Sequence, residues 1–171
     1  LGLSYVDLGS DTNWQDAVER SNSITQTHDF AFSSGSANNS MRASLGVTQR
    51  QGVVKNTDMI NYTGKFDAMQ YAFNKKLKLE AGIMTSQRNT NELENPFNFF
   101  YSTAAFNPTF PTEKNSSGKW DENYTANFTS NPLGKLETEN KREVNHVITH
   151  GKTTWSIMDG LKFSAFGSYT Y

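Results

Sequence analysis

Two histidines are the first candidates for chemistry in this sequence. His146 and His150 lie four residues apart, a spacing at which two ligands on one helix can share a metal ion. The surrounding run NHVITHGKTTWSI alternates like a strand, and on a strand this spacing separates the two side chains by about 13 Å. His28 has no partner nearby in the sequence. We therefore expect no metal site.

Other arrangements that carry chemistry do not stand out. The sequence has no nucleophile motif, no glycine-rich phosphate loop and no carboxylate pair at catalytic spacing. It has no cysteine, which removes disulfide frameworks and thiolate metal sites. Basic residues (16) and acidic residues (17) nearly cancel, so nucleic acid is not an expected partner. We expect no catalytic residue, no cofactor and no enzymatic activity.

Alternating strands are the elements that position the polar residues. A regular two-residue rhythm predicts six strands joined as an antiparallel meander, at about 24–34, 40–51, 61–73, 77–88, 145–157 and 161–171. Ahead of them, Asp11 or Thr12 could cap a short helix around Trp14–Arg20. The sequence therefore predicts an all-β fold.

The rhythm stops over residues 89–144, which contain all four prolines and many aromatic residues. A structureless loop of this length is unusual in a compact domain, and the composition is too aromatic for simple disorder. We expect a large, partly folded surface loop, most of whose aromatic residues hold it together. Four of them are candidates to contact a ligand or a partner protein: Phe100, Tyr101, Trp120 and Tyr124.

The joins between strands are short and long in alternation. Those at 35–39, 74–76 and 157–160 are short, whereas those at 52–59 and 89–144 are longer. Because successive strands run in opposite directions, the short and long joins lie at opposite ends of the sheet. Outer-membrane barrels have this arrangement, with short periplasmic turns and long extracellular loops, and each of their strands needs only about ten alternating residues. No stretch approaches the eighteen apolar residues of a membrane-spanning helix.

The two strand faces have two interpretations. In a barrel the polar face is hydrated and faces the lumen; this set is Arg42, Lys65, Asp67, Lys78, Glu80, His146, His150 and Lys152. Aromatic residues near the strand ends of the other face would form the girdle at the membrane surface: Tyr62, Trp155, Phe163, Tyr169 and Tyr171. In a soluble sheet the same sets would be a solvated face and a core, and composition alone favours that interpretation.

Several stretches reverse that preference because they resemble one family. They are TNWQDAV (12–18), FAFSSGSANNS (30–40), SLGVTQRQGVVKNTDMINYTGKFD (44–67), NPLGKLE (131–137) and DGLKFSAFGSYTY (159–171). In this order they resemble the SusC/RagA family of TonB-dependent outer-membrane transporters. Departures from the family pattern occur at Asn13, where an acidic residue is usual, at Val47, where an aromatic is frequent, and around Ile60–Asn61, where an arginine is common.

The resemblance implies a 22-stranded barrel in the bacterial outer membrane, filled by an N-terminal plug. It also implies a SusD-like surface lipoprotein as partner, energy from the TonB complex, and import of glycans or peptides in Bacteroidota. The plug and the TonB box are not in this sequence. Six strands are fewer than the eight of the smallest membrane barrels. We therefore expect residues 1–171 to be one partial barrel segment whose last strand pairs with sequence beyond Tyr171. The alternatives are a soluble carbohydrate-binding β-sandwich and a surface-adhesion β-domain.

Overall fold

The structure, a computed structural model, describes residues 6–123 and 130–171. Within these ranges the chain forms six strands and three short helices. The strands are β1 (Thr25–Gly35), β2 (Asn39–Gln51), β3 (Asp58–Ala72), β4 (Leu77–Asn91), β5 (Lys141–Met158) and β6 (Leu161–Thr170). The helices are α1 (Trp14–Val18), α2 (Pro96–Ala105) and α3 (Pro132–Leu136). None of the helices in these ranges is long or apolar enough to cross a membrane.

The strands form one sheet in the order β1-β2-β3-β4-β5-β6, so each pairs with its neighbour in the sequence. The predicted all-β antiparallel meander is confirmed. The register between β5 and β6 places Trp155 opposite Phe163 and Gly151 opposite Gly167. It continues to Val147 and Tyr171, whose backbones exchange two hydrogen bonds of 2.9 Å. β1 and β6 are the edge strands of this sheet.

Two of the short joins depend on left-handed backbone conformations. The join between β3 and β4 contains three consecutive residues with positive φ, namely Phe73, Asn74 and Lys75. Asparagine tolerates this conformation better than most residues. The join between β5 and β6 contains Gly160 at φ 82°, a conformation that glycine adopts without steric cost. These turns let the chain reverse within two to four residues.

The described chain divides into two compact units. The first, here called the sheet unit, comprises Thr25–Gln49, Ile60–Asn89 and Glu143–Tyr171. The second is here called the loop unit. It comprises residues 6–24, Arg50–Met59 and the described residues of Thr90–Arg142. The loop unit therefore combines the segment before β1 with the two longer joins.

The loop unit has a hydrophobic core built largely from aromatic rings. Trp14, Phe106 and Phe110 form one buried cluster. The Trp14 ring meets the Phe106 ring edge to face, with centroids 4.9 Å apart, and its Nε1 donates to the Asn107 carbonyl oxygen at 3.0 Å. A second buried cluster contains Val18, Phe99 and Leu136. Phe99, Phe106 and Phe110 therefore hold the loop together.

The predicted short helix around Trp14–Arg20 is present as α1, but its cap residue and its last residue differ from the expectation. Asn13, rather than Asp11 or Thr12, caps α1, because its side chain accepts from the backbone N–H groups of the first turn. The Thr12 hydroxyl instead donates to the Phe110 carbonyl at 2.6 Å. The helix stops at Val18 because the Arg20 N–H donates to the Val53 carbonyl at 2.7 Å.

Several strands differ in length from those expected. β3 begins at Asp58 rather than at 61, and β4 continues to Asn91 rather than 88. β5 begins at Lys141 rather than at 145. The Glu92 N–H donates to the Asn140 carbonyl at 3.1 Å, so pairing between β4 and β5 reaches further into the long join than the side-chain alternation indicates. The join itself contains α2 and α3.

Candidate functional site

One face of the sheet unit collects apolar side chains. Residues that are directly opposite on paired strands share a face, so Trp155 and Phe163 are neighbours, as are Thr149 and Tyr169. Tyr171 joins them through its pairing with Val147. These four aromatic residues were predicted to form a girdle, and all are more than half exposed. The fifth, Tyr62 on β3, is also exposed.

The apolar face continues across the other strands and is uncovered in this structure. Phe66 lines a hollow with residues of β1, β2 and β4, and a second hollow with residues of β1, β2, β4 and β5. Exposed apolar residues on this face include Phe30, Phe32, Met41, Leu45, Leu79 and Ile83. Every buried hydrophobic residue of the described chain lies instead in the loop unit. Large exposed apolar faces of this kind are typical of surfaces that contact protein or membrane.

The opposite face of the sheet carries charged side chains that interact with one another. The Lys65 ammonium lies 3.2 Å from the Asp67 carboxylate, and the Lys78 ammonium lies 2.7 Å from the Glu80 carboxylate. Across the sheet, His150 Nε2 lies 4.0 Å from Asp67 Oδ1. All these side chains are partly exposed, so each pair is solvated and weak on its own.

Four of the residues predicted to face the lumen line one open hollow of about 460 Å³: Arg42, Asp67, Glu80 and His150. Each comes from a different strand, β2 to β5, because the register brings them to one level of the sheet. His146 is half-buried on β5, and Lys152 is exposed on the same strand. In the part of the chain that the structure describes, no three His, Asp or Glu side chains form a group that could hold a metal ion.

Two glycines within the strands allow this face to form, and sequence reasoning missed their role. A Cβ atom at Gly82 would overlap His150 Cε1 and would lie 2.6 Å from Asp67 Oδ1. A Cβ atom at Gly46 would lie 2.6 Å from both Asp29 Oδ1 and Thr63 Oγ1. Each glycine therefore lets the two flanking strands bring polar side chains together over the strand between them. A glycine inside a polar strand face is the sequence signal for such a close approach.

The loop aromatic residues divide into buried and exposed sets on α2. This helix begins with Asn95 as its cap and Pro96 in its first turn, and it buries Phe99. Its exposed side carries Phe97, Phe100 and Tyr101, which are 83%, 54% and 56% exposed. These three residues, here called the aromatic ridge, have the i, i+3, i+4 spacing of one helix face. Phe97 was not among the predicted contact residues, although this spacing could have identified it.

The other two predicted contact residues have different positions. Trp120 is half-buried against Gly134 of α3, and the Lys114 ammonium lies 5.3 Å from its ring centroid, within cation–π range. Trp120 therefore packs within the loop unit rather than standing clear of it. Tyr124 lies outside the described residues.

Two charged side chains of the loop unit have perturbed pKa values. The Lys135 ammonium donates to Ser102 Oγ at 2.7 Å and to the Asn98 side chain, and burial lowers the pKa of Lys135. Glu137 pairs with Lys114 at 2.8 Å. The hydrogen bond from Lys114 lowers the pKa of Glu137. Both contacts connect the region of α3 to the rest of the loop.

This geometry defines a class of structure: one antiparallel meander with alternating short and long joins, an exposed apolar face and a charged face. No protein-family model matches the chain. The chain is similar to the TonB-dependent receptor SusC of Bacteroides thetaiotaomicron, with 28% identity over 160 residues. The similarity covers 80% of this chain but only 16% of the length of that receptor. These findings support a distant relationship to TonB-dependent receptors.

Proposed function

We propose that this chain is part of the barrel wall of a SusC-like TonB-dependent transporter in the bacterial outer membrane. The observation that carries the proposal is the sheet unit itself, which has one exposed apolar face, one charged face and no buried hydrophobic residue. A soluble sheet would have to cover such a face. A barrel wall presents it to lipid, and the similarity to SusC supports this choice.

The apolar face would contact the hydrocarbon of the bilayer. Trp155 and Phe163 form a cross-strand pair next to the short join at 159–160, where we place the periplasmic surface. Tyr169 lies further along β6, towards the other surface. Backbone groups at an open sheet edge are costly in hydrocarbon, so β1 and β6 would each pair with further strands of a larger barrel of 22 strands.

The charged face would line the interior of the barrel. Arg42, Asp67, Glu80 and His150 would meet water, the plug or the solute in transit. Lys65, Lys78, His146 and Lys152 would share that environment. In this role the residues shape a hydrated surface and carry out no chemistry, so the proposal requires no catalytic residue and no cofactor.

The loop unit would lie on the extracellular side, because it comprises the longer joins. There the aromatic ridge of α2 offers exposed aromatic rings for contact with a SusD-like lipoprotein or with a glycan or peptide substrate. Rings of this kind combine a large apolar area with few rotatable bonds, which favours binding. Coupling to the TonB complex would occur through plug segments that this sequence does not contain.

The sandwich alternative is not favoured, because it needs a second sheet to cover the apolar face. The six strands within residues 6–123 and 130–171 form a single sheet, and its apolar side chains are exposed.

Cell fractionation and uptake test the proposal. We expect the protein in the outer-membrane fraction, soluble only with detergent, and TonB-dependent uptake of at least one member of a panel of fluorescently tagged oligosaccharides and peptides. Deletion of the plug or of TonB serves as the control for energy coupling. A stable monomer in plain buffer, free of the membrane fraction, would contradict the proposal.

Contact by the aromatic ridge has its own test. Replacing Phe100 and Tyr101 by alanine should weaken binding of a purified SusD-like lipoprotein or reduce substrate uptake. The matched control is Phe73→Ala, which removes another exposed phenylalanine, 77% exposed, from a short join. Equal behaviour of the two variants would remove the ridge from the proposal and leave the barrel wall intact.

A further inference from the structure

The apolar face is not uniform, because two hollows interrupt it. The first, of about 700 Å³, is lined by small residues (Ala68, Ala81, Gly151), by larger apolar ones (Met41, Phe66, Leu79) and by polar ones that include Gln70, Glu80 and Lys152. The second, of about 360 Å³, has Ala43 and Gly64 at its base and is bordered by Phe30, Phe32, Leu45 and Ile83. Phe66 lines both hollows. The two hollows therefore adjoin along β3 and are here together called the trough.

We propose that this trough binds one acyl chain of an anionic phospholipid, whose headgroup lies at the short-turn end of the sheet. The inference rests on the proposed function, because it requires the apolar face to contact the bilayer. The small residues leave room that a chain of methylene groups can fill, and the larger side chains restrict its sideways movement. The second hollow is lined almost wholly by apolar surface, which suits hydrocarbon.

The dimensions of the trough fit one leaflet. Along β3 it extends from Gly64 to Gln70, six residue steps, or about 20 Å at about 3.3 Å per residue. Strands of outer-membrane barrels tilt by about 40°, so this length corresponds to about 15 Å along the membrane normal. Half of a hydrocarbon core is also about 15 Å. The trough therefore begins near one membrane surface and ends near the midplane.

Residues at the short-turn end mark that surface and supply positive charge. Thr153 lines the trough, and the proposed girdle residue Trp155 lies two positions further along β5. The next residue, Ser156, donates its N–H to the Lys76 carbonyl at 2.7 Å, which places the join between β3 and β4 beside it. That join carries the exposed Lys75 and Lys76.

The two lysines are available for a phosphate group. No acidic residue occurs from Ala68 to Leu79. Neither lysine forms an ion pair with any residue that the structure describes. The adjoining join between β5 and β6 contributes Asp159 and is followed by Lys162, so the charges there cancel. A lysine near an anionic membrane surface strengthens lipid binding about fivefold.

Native mass spectrometry of the detergent-extracted transporter that contains this chain tests the proposal. The probes are palmitoyl-oleoyl phosphatidylglycerol and the matching phosphatidylcholine, titrated separately after delipidation. We expect one phosphatidylglycerol to bind more tightly than phosphatidylcholine. Replacing Lys75 and Lys76 together by glutamine should weaken phosphatidylglycerol binding about 25-fold and leave phosphatidylcholine binding unchanged. Lys162→Gln, on the polar face, is the control and should have little effect.

Filling the trough provides an independent test. Ala68→Leu combined with Ala81→Leu should weaken binding of both lipids about fifteenfold, because about two methylene groups lose their site and each contributes about fourfold. Ala165→Leu is the matched control, because Ala165 lies on β6, on the same apolar face of the sheet, and does not line the trough.

The outcomes separate the two proposals. Equal binding by the wild type and the filled variant, in a protein that still requires detergent, would overturn the lipid site and leave the barrel wall standing. A Lys75→Gln, Lys76→Gln variant that keeps the full preference for phosphatidylglycerol would also overturn it. A protein that needs no detergent would overturn both proposals.

Discussion

The aromatic core of the loop unit predicts a large effect from a single substitution, Trp14→Ala. Trp14 is 4% exposed, packs edge to face on Phe106 and donates its indole N–H to the Asn107 carbonyl at 3.0 Å. Truncating a buried tryptophan to alanine typically costs about 3–5 kcal/mol, including the cavity that it leaves. The Asn107 carbonyl would also lose its bond from the indole, which raises the cost within that range.

The expected change is therefore about 4 kcal/mol in the free energy of opening the loop unit, or about a thousandfold in amide protection. Hydrogen exchange followed by mass spectrometry measures this change in peptides that cover α2 and α3. The Phe106 N–H, which donates to the Ser102 carbonyl at 2.8 Å, is the most informative amide. Exchange in the sheet unit gives the internal reference.

Phe97→Ala is the matched control, because this residue is 83% exposed on the same loop. Surface substitutions of this kind usually change stability by less than about 0.5 kcal/mol, so protection should change about twofold at most. A Trp14→Ala protein whose α2 peptides exchange as slowly as those of the Phe97→Ala protein would refute the assignment of Trp14 to the loop core.

Three further predictions concern other contacts. Gly82→Ala should destabilise the protein by about 1–3 kcal/mol in thermal melting, because a Cβ would overlap the neighbouring side chains. Gly167→Ala should be near neutral, because a Cβ there would have no atom within 4 Å. Asn131→Ala should cost about 2 kcal/mol of stability and speed amide hydrogen exchange in α3, because this buried side chain caps the helix. An effect no larger than that of a substitution at an exposed position would contradict this role. Glu137 has a lowered pKa, so its contribution to stability is present above the ordinary value of 4.5 and is lost as the pH falls through the lower folded value. Lys114→Met should raise the pKa of Glu137 in an NMR titration, and an unchanged pKa would contradict the pairing.

The sheet was largely predictable from the sequence, because a strand with one buried or lipid-facing side must alternate every two residues. Alternation places Trp155 and Phe163 on one face, but their direct pairing also requires the register shift between Ser156 and Met158, which the tight turn at Gly160 alone would not give. The helices of the long join were not predicted, although Asn95–Pro96 and Asn131–Pro132 are cap-and-proline signals for a helix start. Their short apolar stretches gave no clear period.

The remaining features depend on contacts between residues that are distant in the sequence. Thr12 fails to cap α1 because its hydroxyl bonds to Phe110, nearly a hundred residues away. The role of Gly82 requires the register of three strands, which places Asp67 and His150 on either side of it. The lumen-facing and girdle assignments remain proposals, because alternation identifies two faces without identifying what each face contacts.

The contact made by the apolar face can be measured directly on β6. The chain has no cysteine, so single cysteines at successive positions from 161 to 170 can each carry one nitroxide label in the membrane-embedded protein. If the face meets lipid, labels at Phe163 and Ala165 should collide with oxygen and be shielded from a water-soluble nickel complex. Labels at Ser164 and at Phe166, an aromatic residue on the polar face, should show the reverse. Equal access to the nickel complex at all four positions would contradict the barrel wall.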